Sequence, residues 1–223
     1  MKVELLQYTK NADELCGVAA ATCYHSSSWK KALQHSAGSG HESVIEHTIY
    51  TFRVSNVSRV LLAQLTRHRL CSFSVESQRY VKLDGTHPIV CPKSIENFDL
   101  QEKFAQVCQR LMDFYCELLN VGVPAEDARY ILPQGVATTI IISCNARELK
   151  HILELRCCHR AQWEIRKMAD LMYKLVYPTA PIIFGKAGPG CVNGKGCHEA
   201  RPCGECRHLE EWQGEAVQDG GAE

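Results

Sequence analysis

The chain has 223 residues, 45% of them hydrophobic, with 25 basic and 25 acidic side chains and no formal net charge. That composition is enough to bury a real core, so disorder is not the default, and the charge balance argues against binding nucleic acid or a membrane surface by bulk electrostatics. No run approaches the ~18–20 apolar residues that span a bilayer, and the start, Met1-Lys2-Val3-Glu4-Leu5-Leu6-Gln7, lacks the apolar stretch of a signal peptide, which predicts a cytoplasmic protein.

Residues 2–8 alternate apolar and polar and predict a short strand, followed by a helix over 11–24. Ser26 to Ser28 break the pattern before a second helix beginning near Trp29, and Gly38-Ser39-Gly40 forms a loop that delivers His41. Residues 48–54 are rich in β-branched and aromatic side chains and predict a strand. Helical spacing returns over 58–70, which places Gln64 and Arg67 on one face. Residues 101–120 predict a long amphipathic helix in which Cys108 and Cys116 read as small core residues. Pro124 opens a short helix, Pro133 and Gly135 punctuate, and 137–143 predict an apolar strand. Asn145 has the pattern of a helix N-cap with Glu148 at the capping-box position, and that helix is predicted to run through Tyr177 until Pro178 and Pro181 end it. After Gly185 the composition shifts to Gly, Cys and charge, and 214–223 read as a frayed acidic end. These elements predict an α/β (α+β) fold with a mixed or antiparallel sheet packed against long helices. Residues 1–185 would be a single domain and 186–223 a Cys/Gly-rich tail.

The densest chemistry lies in Arg67-His68-Arg69-Leu70-Cys71-Ser72-Phe73-Ser74-Val75-Glu76-Ser77-Gln78-Arg79-Tyr80. Three arginines and a histidine in so short a span form an anion trap, since a guanidinium fork matches phosphate geometry. Ser77 and Gln78 add short polar groups to the cradle. The segment straddles a helix end, a loop and a strand, a common setting for binding residues on a rigid scaffold.

This segment resembles the Arg-His-Arg plus downstream Ser-x-Arg signature of the flavin-dependent thymidylate synthases. Two further blocks are similar to that family: Gly40-His41-Glu42-Ser43-Val44-Ile45-Glu46-His47, and the stretch Arg156 to Arg166 that carries Ala161-Gln162-Trp163-Glu164-Ile165-Arg166. Gln64 also stands three residues before Arg67, as in the family. The resemblance implies conversion of dUMP to dTMP without a covalent protein nucleophile. The methylene comes from 5,10-methylenetetrahydrofolate and the hydride from FAD reduced by NADPH, in a homotetramer whose active sites are shared between subunits. It assigns dUMP to Gln64, Arg67, Ser77, Gln78, Arg79 and Arg166, the last polarising the uracil ring. It assigns FAD to His47, Arg67, His68, Arg69, Glu154, Arg156 and Arg160. Cys71 is not a catalytic position in the family. No Gly-x-Gly-x-x-Gly is present, which suits a family that holds FAD without a Rossmann turn.

Two positions depart from the family pattern. Val75 stands where a polar contact is usual, and Thr139 where many members carry an arginine that touches dUMP. They motivate a second reading, a flavin- or nucleotide-binding relative without synthase activity. Thirteen cysteines in a chain of this length without a signal peptide read mostly as reduced thiols. The tail, Cys191-x5-Cys197-His198-x4-Cys203-x2-Cys206, has enough thiols for tetrahedral zinc. A third reading, a zinc-dependent nucleic-acid-binding module, is opposed by the neutral charge and the lack of interleaved basic and aromatic residues there.

Overall fold

The computed structural model describes residues 1–204. Its strands are β1 (Lys2–Tyr8), β2 (Ile49–Ser58), β3 (Ser72–Val75) and β4 (Ala137–Asn145), hydrogen-bonded in the order β1-β2-β4-β3 as an antiparallel sheet. The helices are α1 (Ala12–Tyr24), α2 (Trp29–Gly38), α3 (Arg59–Leu65), α4 (Lys93–Glu96), α5 (Gln101–Asn120), α6 (Ala125–Ala128), α7 (Ala146–Arg156), α8 (Trp163–Val176), α9 (Pro181–Phe184) and α10 (Gly190–Asn193). The α+β class expected from the hydrophobic pattern is present. No helix among the described residues is long and apolar enough to cross a membrane.

Single backbone bonds mark the registers. Thr9 N–H donates to Ile49 O at 3.0 Å, Ala146 N–H to Thr48 O at 3.0 Å, and Glu76 N–H to Thr139 O at 3.0 Å. Tyr8 and Tyr50 consequently stack across β1 and β2, with centroids 6.4 Å apart. β4 lies inside the sheet, and Ile140, Ile142 and Cys144 bury one of its faces.

The chain divides into two compact units, each drawing on both β2 and β4. The first comprises Met1–Lys2, Val54–Arg67 and Ser74–Ile141. Its core sets Met112 and Tyr115 of α5 against Leu83, Ala128 and Val136, and the Tyr115 hydroxyl accepts the Leu83 N–H at 3.3 Å. Gly135 is required here by close approach: Val90 N–H donates to its carbonyl at 2.8 Å, and a Cβ would sit 2.9 Å from Val90 O.

The second unit comprises Val3–Arg53, His68–Phe73 and the chain from Ile142 onward. α1 packs on α2 at Gly17, where a Cβ would lie 2.6 Å from the Trp29 ring and 2.8 Å from its carbonyl oxygen. Asp13 of α1 accepts the N–H groups of Ile182 and Ile183 at 2.9 and 3.1 Å, satisfying donors at the start of α9 from 169 residues away. Burial pushes the Asp13 carboxyl above its usual range, and these two hydrogen bonds pull it back. Phe184 then meets Tyr50 edge-on at 5.3 Å.

Two helix predictions need correction. The helix predicted over 58–70 ends at Leu65: Thr66 turns its hydroxyl onto Leu62 O at 3.0 Å, and Cys71 N–H donates to His68 O at 3.2 Å across a turn. Arg67 therefore lies beyond the helix, and the Gln64 amide bends back to Val60 O. The helix predicted from Asn145 to Tyr177 is two helices. α7 stops at Arg156, and the Gln162 side chain caps α8 by accepting the N–H groups of Glu164 and Ile165 at 3.0 and 3.2 Å. Arg156, Arg160 and Arg166 consequently share no helix: they stand at the end of α7, in the connection, and in the first turn of α8. Asn145 caps α7 as predicted, accepting Glu148 N–H at 2.9 Å.

Gly17→Ala should destabilise the fold by about 1–3 kcal/mol, the range for forcing a methyl into a packed contact. Thermal denaturation followed by circular dichroism measures it, and an unchanged midpoint would show that α2 yields freely.

Candidate functional site

The centre of the second unit's polar chemistry is His68, whose side chain is 3% exposed. Arg156 Nε donates to His68 Nε2 at 3.0 Å. A guanidinium can only donate, so Nε2 accepts and the ring proton sits on Nδ1. That proton is directed at Glu148 Oε1, 3.2 Å away. Burial, then the charges of Arg156 and His151, push His68 down from 6.5 to about 4, so the imidazole is neutral near pH 7. Burial pushes the Glu148 carboxyl up, with His151 acting against it. The contact is thus a hydrogen bond from a neutral imidazole to a carboxyl oxygen, and the capping-box Glu148 serves His68 with its side chain.

Beside this trio is a cavity of about 890 Å³, with Leu70, Glu148, His151 and Glu154 in its walls and Arg147, Lys150, Lys186 and Lys195 supplying positive charge. Arg147 pairs with Glu46 and Lys150 with Glu42, while Lys195 Nζ reaches both oxygens of Glu154 at 3.0 and 2.8 Å. The volume lies in the range of small-molecule and cofactor sites, and the four basic side chains of the wall face four acidic ones, Glu42, Glu46, Glu148 and Glu154. Of the residues expected at flavin, the structure places Glu154 in this cavity and His68 and Arg156 in the adjoining trio. His47 and Arg69 are exposed and do not line it, and neither does Arg160, which lines a smaller cavity of about 220 Å³. From the histidine-bearing block, Glu42 and Glu46 line the cavity. Arg166 is half-buried and donates through Nη1 to His159 O at 2.9 Å, which ties α8 to the connection before it.

The first unit holds a separate anion-suited cavity of about 320 Å³, lined by Gln78, Arg59, Arg129 and Tyr130 among others. Arg59 Nη2 donates to Glu76 O at 3.0 Å, but its Nε is buried without a hydrogen-bond partner among the described residues. Burial pushes the Arg59 guanidinium below its usual range, Glu76 opposes that, and the nearby Arg129 charge adds to it. An anion entering here would meet two guanidinium groups, one with an unsatisfied donor. Sequence reasoning missed both: Arg59 falls within the helix predicted over 58–70 and Arg129 within the short one that Pro124 opens. The signal available was Thr139, whose missing arginine calls for a cation from elsewhere.

Ser77, Arg79, Gln64 and Arg67 do not line that cavity. The Ser77 hydroxyl accepts the Arg79 N–H at 3.3 Å, and Arg79 pairs with Glu126 while its guanidinium lies 5.4 Å from the Tyr80 ring centroid. Arg67 is exposed and Gln64 half-buried. In the tail, Cys191, Cys197 and Cys203 line the smaller cavity with Cys158. Among the described residues no three His, Cys, Asp or Glu side chains are placed to hold a metal ion, and Cys206 lies outside them.

Residues 4–182 match the family described as thymidylate synthase complementing protein. Among curated proteins, the chain is 40% identical to the flavin-dependent thymidylate synthase of Geobacter sulfurreducens, over 94% of this chain and 97% of that one. It is 40% identical to the enzyme of the same name from Pyrococcus furiosus, over 89% and 90%, and 35% identical to that of Clostridium tetani, over 94% and 96%.

The depressed His68 pKa has a measurable consequence. Between about pH 6.5 and 4 the unfolded chain binds a proton that the folded chain refuses, so stability falls as pH drops through that window. The full effect is about 3 kcal/mol, from a shift of that size in a side chain almost wholly buried. Glu148 acts in the opposite sense, so the observable is the difference between wild type and His68→Gln. Urea unfolding across pH 4–7 should show a steeper acid loss in wild type, and parallel curves would refute the assignment.

Proposed function

Because the chain belongs to the flavin-dependent thymidylate synthase family, we propose that it makes dTMP from dUMP by reductive methylation, with 5,10-methylenetetrahydrofolate as methylene donor and NADPH as reductant. Bound FAD supplies the hydride, and the protein's own part is to bind, orient and polarise. The observation that carries this reading is the Arg-His-Arg segment, built with a buried, neutral His68 held between Glu148 and Arg156, in a chain that matches the family over 4–182.

On this reading the cavity beside His68 takes FAD. Glu154 is one of its walls, and Arg147, Lys150, Lys186 and Lys195 are the charges available to the phosphates. Arg156 and His68 fix the adjoining wall; Arg67, Arg69, His47 and Arg160 are assigned to flavin by their place in the motifs. Surface ion pairs such as Arg147–Glu46 are worth little in water, so their cations can change partner when a diphosphate arrives.

Gln78 is assigned to the dUMP phosphate with Arg59 and Arg129, which supply the cationic charge that Thr139 does not. Ser77, Arg79, Gln64 and Arg67 are assigned to the same nucleotide, and Arg79 would then exchange Glu126 for the ligand. Arg166 is assigned to the uracil ring. A guanidinium stays charged, so its role is to stabilise negative charge developing on the ring and to hold the base in place, not to move a proton. No protein nucleophile is needed. The homotetramer belongs to the same proposal.

A flavin- or nucleotide-binding relative that lacks synthase activity is the second reading, motivated by Val75 and Thr139. One experiment separates them: reconstitution with FAD, a visible spectrum, then NADPH- and methylenetetrahydrofolate-dependent conversion of dUMP. Absence of flavin absorbance would sink the first reading, and flavin without turnover would select the second. Arg166→Ala should lower kcat by about 10²–10³, the cost of removing a donor to developing charge, while FAD stays bound. Arg129→Ala should raise KM for dUMP about tenfold or more, the value of a hydrogen bond to a charged group, with kcat little changed. A fall in kcat alone would place Arg129 elsewhere.

A further inference from the structure

Two thiols in the second unit stand where the sheet register brings them face to face. Glu76 N–H donates to Thr139 O at 3.0 Å. Stepping five residues back along β3 and five on along β4, in antiparallel sense, sets Cys71 opposite Cys144. The burial pattern agrees: Cys71 and Phe73 are half-buried between exposed neighbours, while Cys144, Ile142 and Ile140 are buried on the facing strand. An odd step from a hydrogen-bonded pair lands on a non-hydrogen-bonded one, where Cα atoms approach to about 4.5 Å and side chains are closest. That spacing falls inside the roughly 4.4–6.8 Å range of disulfides. Both cysteines are free, and the Cys71 thiol is near enough to push the Cys144 thiol up.

We propose that Cys71 and Cys144 are a reversible dithiol–disulfide switch, oxidised by small disulfides of the glutathione type. The Cys71 thiolate attacks one sulfur of the small disulfide; that S–S bond breaks and one small thiol leaves with a proton. Cys144, losing its own proton, then attacks the Cys71 sulfur of the mixed disulfide and expels the second small thiol. Two protein thiols are oxidised and one small disulfide is reduced to two thiols.

The order of events follows from access. Cys71 is half-buried at the end of a turn, whereas Cys144 is 4% exposed. The nearby Cys71 thiol, then burial, holds the Cys144 thiol well above its usual range, which suits a resolving group that stays protonated until its neighbour is modified. Cys16, fully buried and pushed up to about 11 by burial, is an inert internal contrast. The link would staple the turn carrying His68 and Arg69 to the residue before the Asn145 cap of α7.

The test uses the full chain, oxidised with glutathione disulfide, alkylated, digested and mapped by mass spectrometry. The expected product joins the Cys71 and Cys144 peptides with the loss of two hydrogens and is reversed by dithiothreitol. It should be absent from Cys71→Ser, while Cys144→Ser should stop at one glutathione on Cys71. Because Cys144 lies in the core, the wild-type map and Cys71→Ser decide the matter by themselves. Recovery of both peptides unlinked while exposed Cys23 is oxidised would overturn the proposal, as would linkage of Cys71 to any other cysteine.

Discussion

Burying an imidazole between a carboxyl group and a guanidinium is the constraint on which the second unit's polar chemistry depends. His68, Glu148 and Arg156 come from a turn and from the two ends of α7, and each satisfies groups that would be costly to leave unpaired out of water. The trio works only if α7 starts where it does. Asn145 fixes that start by capping at Glu148, and this frees the Glu148 carboxyl to turn toward His68. The backbone cap and the buried network are therefore one device: shift the helix by a residue and Glu148 no longer faces the ring.

Charge is used differently a few residues away. Arg147–Glu46, Lys150–Glu42 and Lys195–Glu154 join partially exposed side chains along the wall of the large cavity. Such pairs contribute little stability in water and are screened by salt. They keep cations in place without committing them, whereas the buried trio is committed. A rigid, desolvated anchor thus stands next to loosely held charges.

How much of this was legible in the sequence depends on where the information is stored. The Arg67 to Tyr80 segment, the strand alternation and the Asn145 cap were readable because each is a local pattern of residue types. The breaks after Leu65 and around Cys157 to Gln162 were not, because no Gly or Pro marks them: Thr66 ends one helix and Gln162 starts another through side-chain bonds to nearby backbone. Gln162 sits in a block whose apolar period continues on both sides, so periodicity alone joins the two helices. Arg59 and Arg129, about 70 residues apart in sequence, become a pair only through tertiary structure. The same holds for Cys71 and Cys144, which the strand register alone sets opposite each other.

The Asp13 contacts to Ile182 and Ile183 have a consequence for how the protein is made. The second unit takes its first segment from Val3–Arg53 and much of the remainder from beyond Ile142, with most of the first unit's sequence between them. On a ribosome adding roughly 5–20 residues per second, α1 and α2 wait on the order of ten seconds or more before the donors that Asp13 caps have been synthesised. Through that interval Gly17 and Trp29 can pack the early helices against each other and Val44 and Ile45 can join them, but α9, which packs on both helices, is still missing. The intervening unit can close around Tyr115 while the outer one is still open. The order of completion along the chain is thus inside first, ends last, and the Asp13 contacts are among those that wait for the end of the chain.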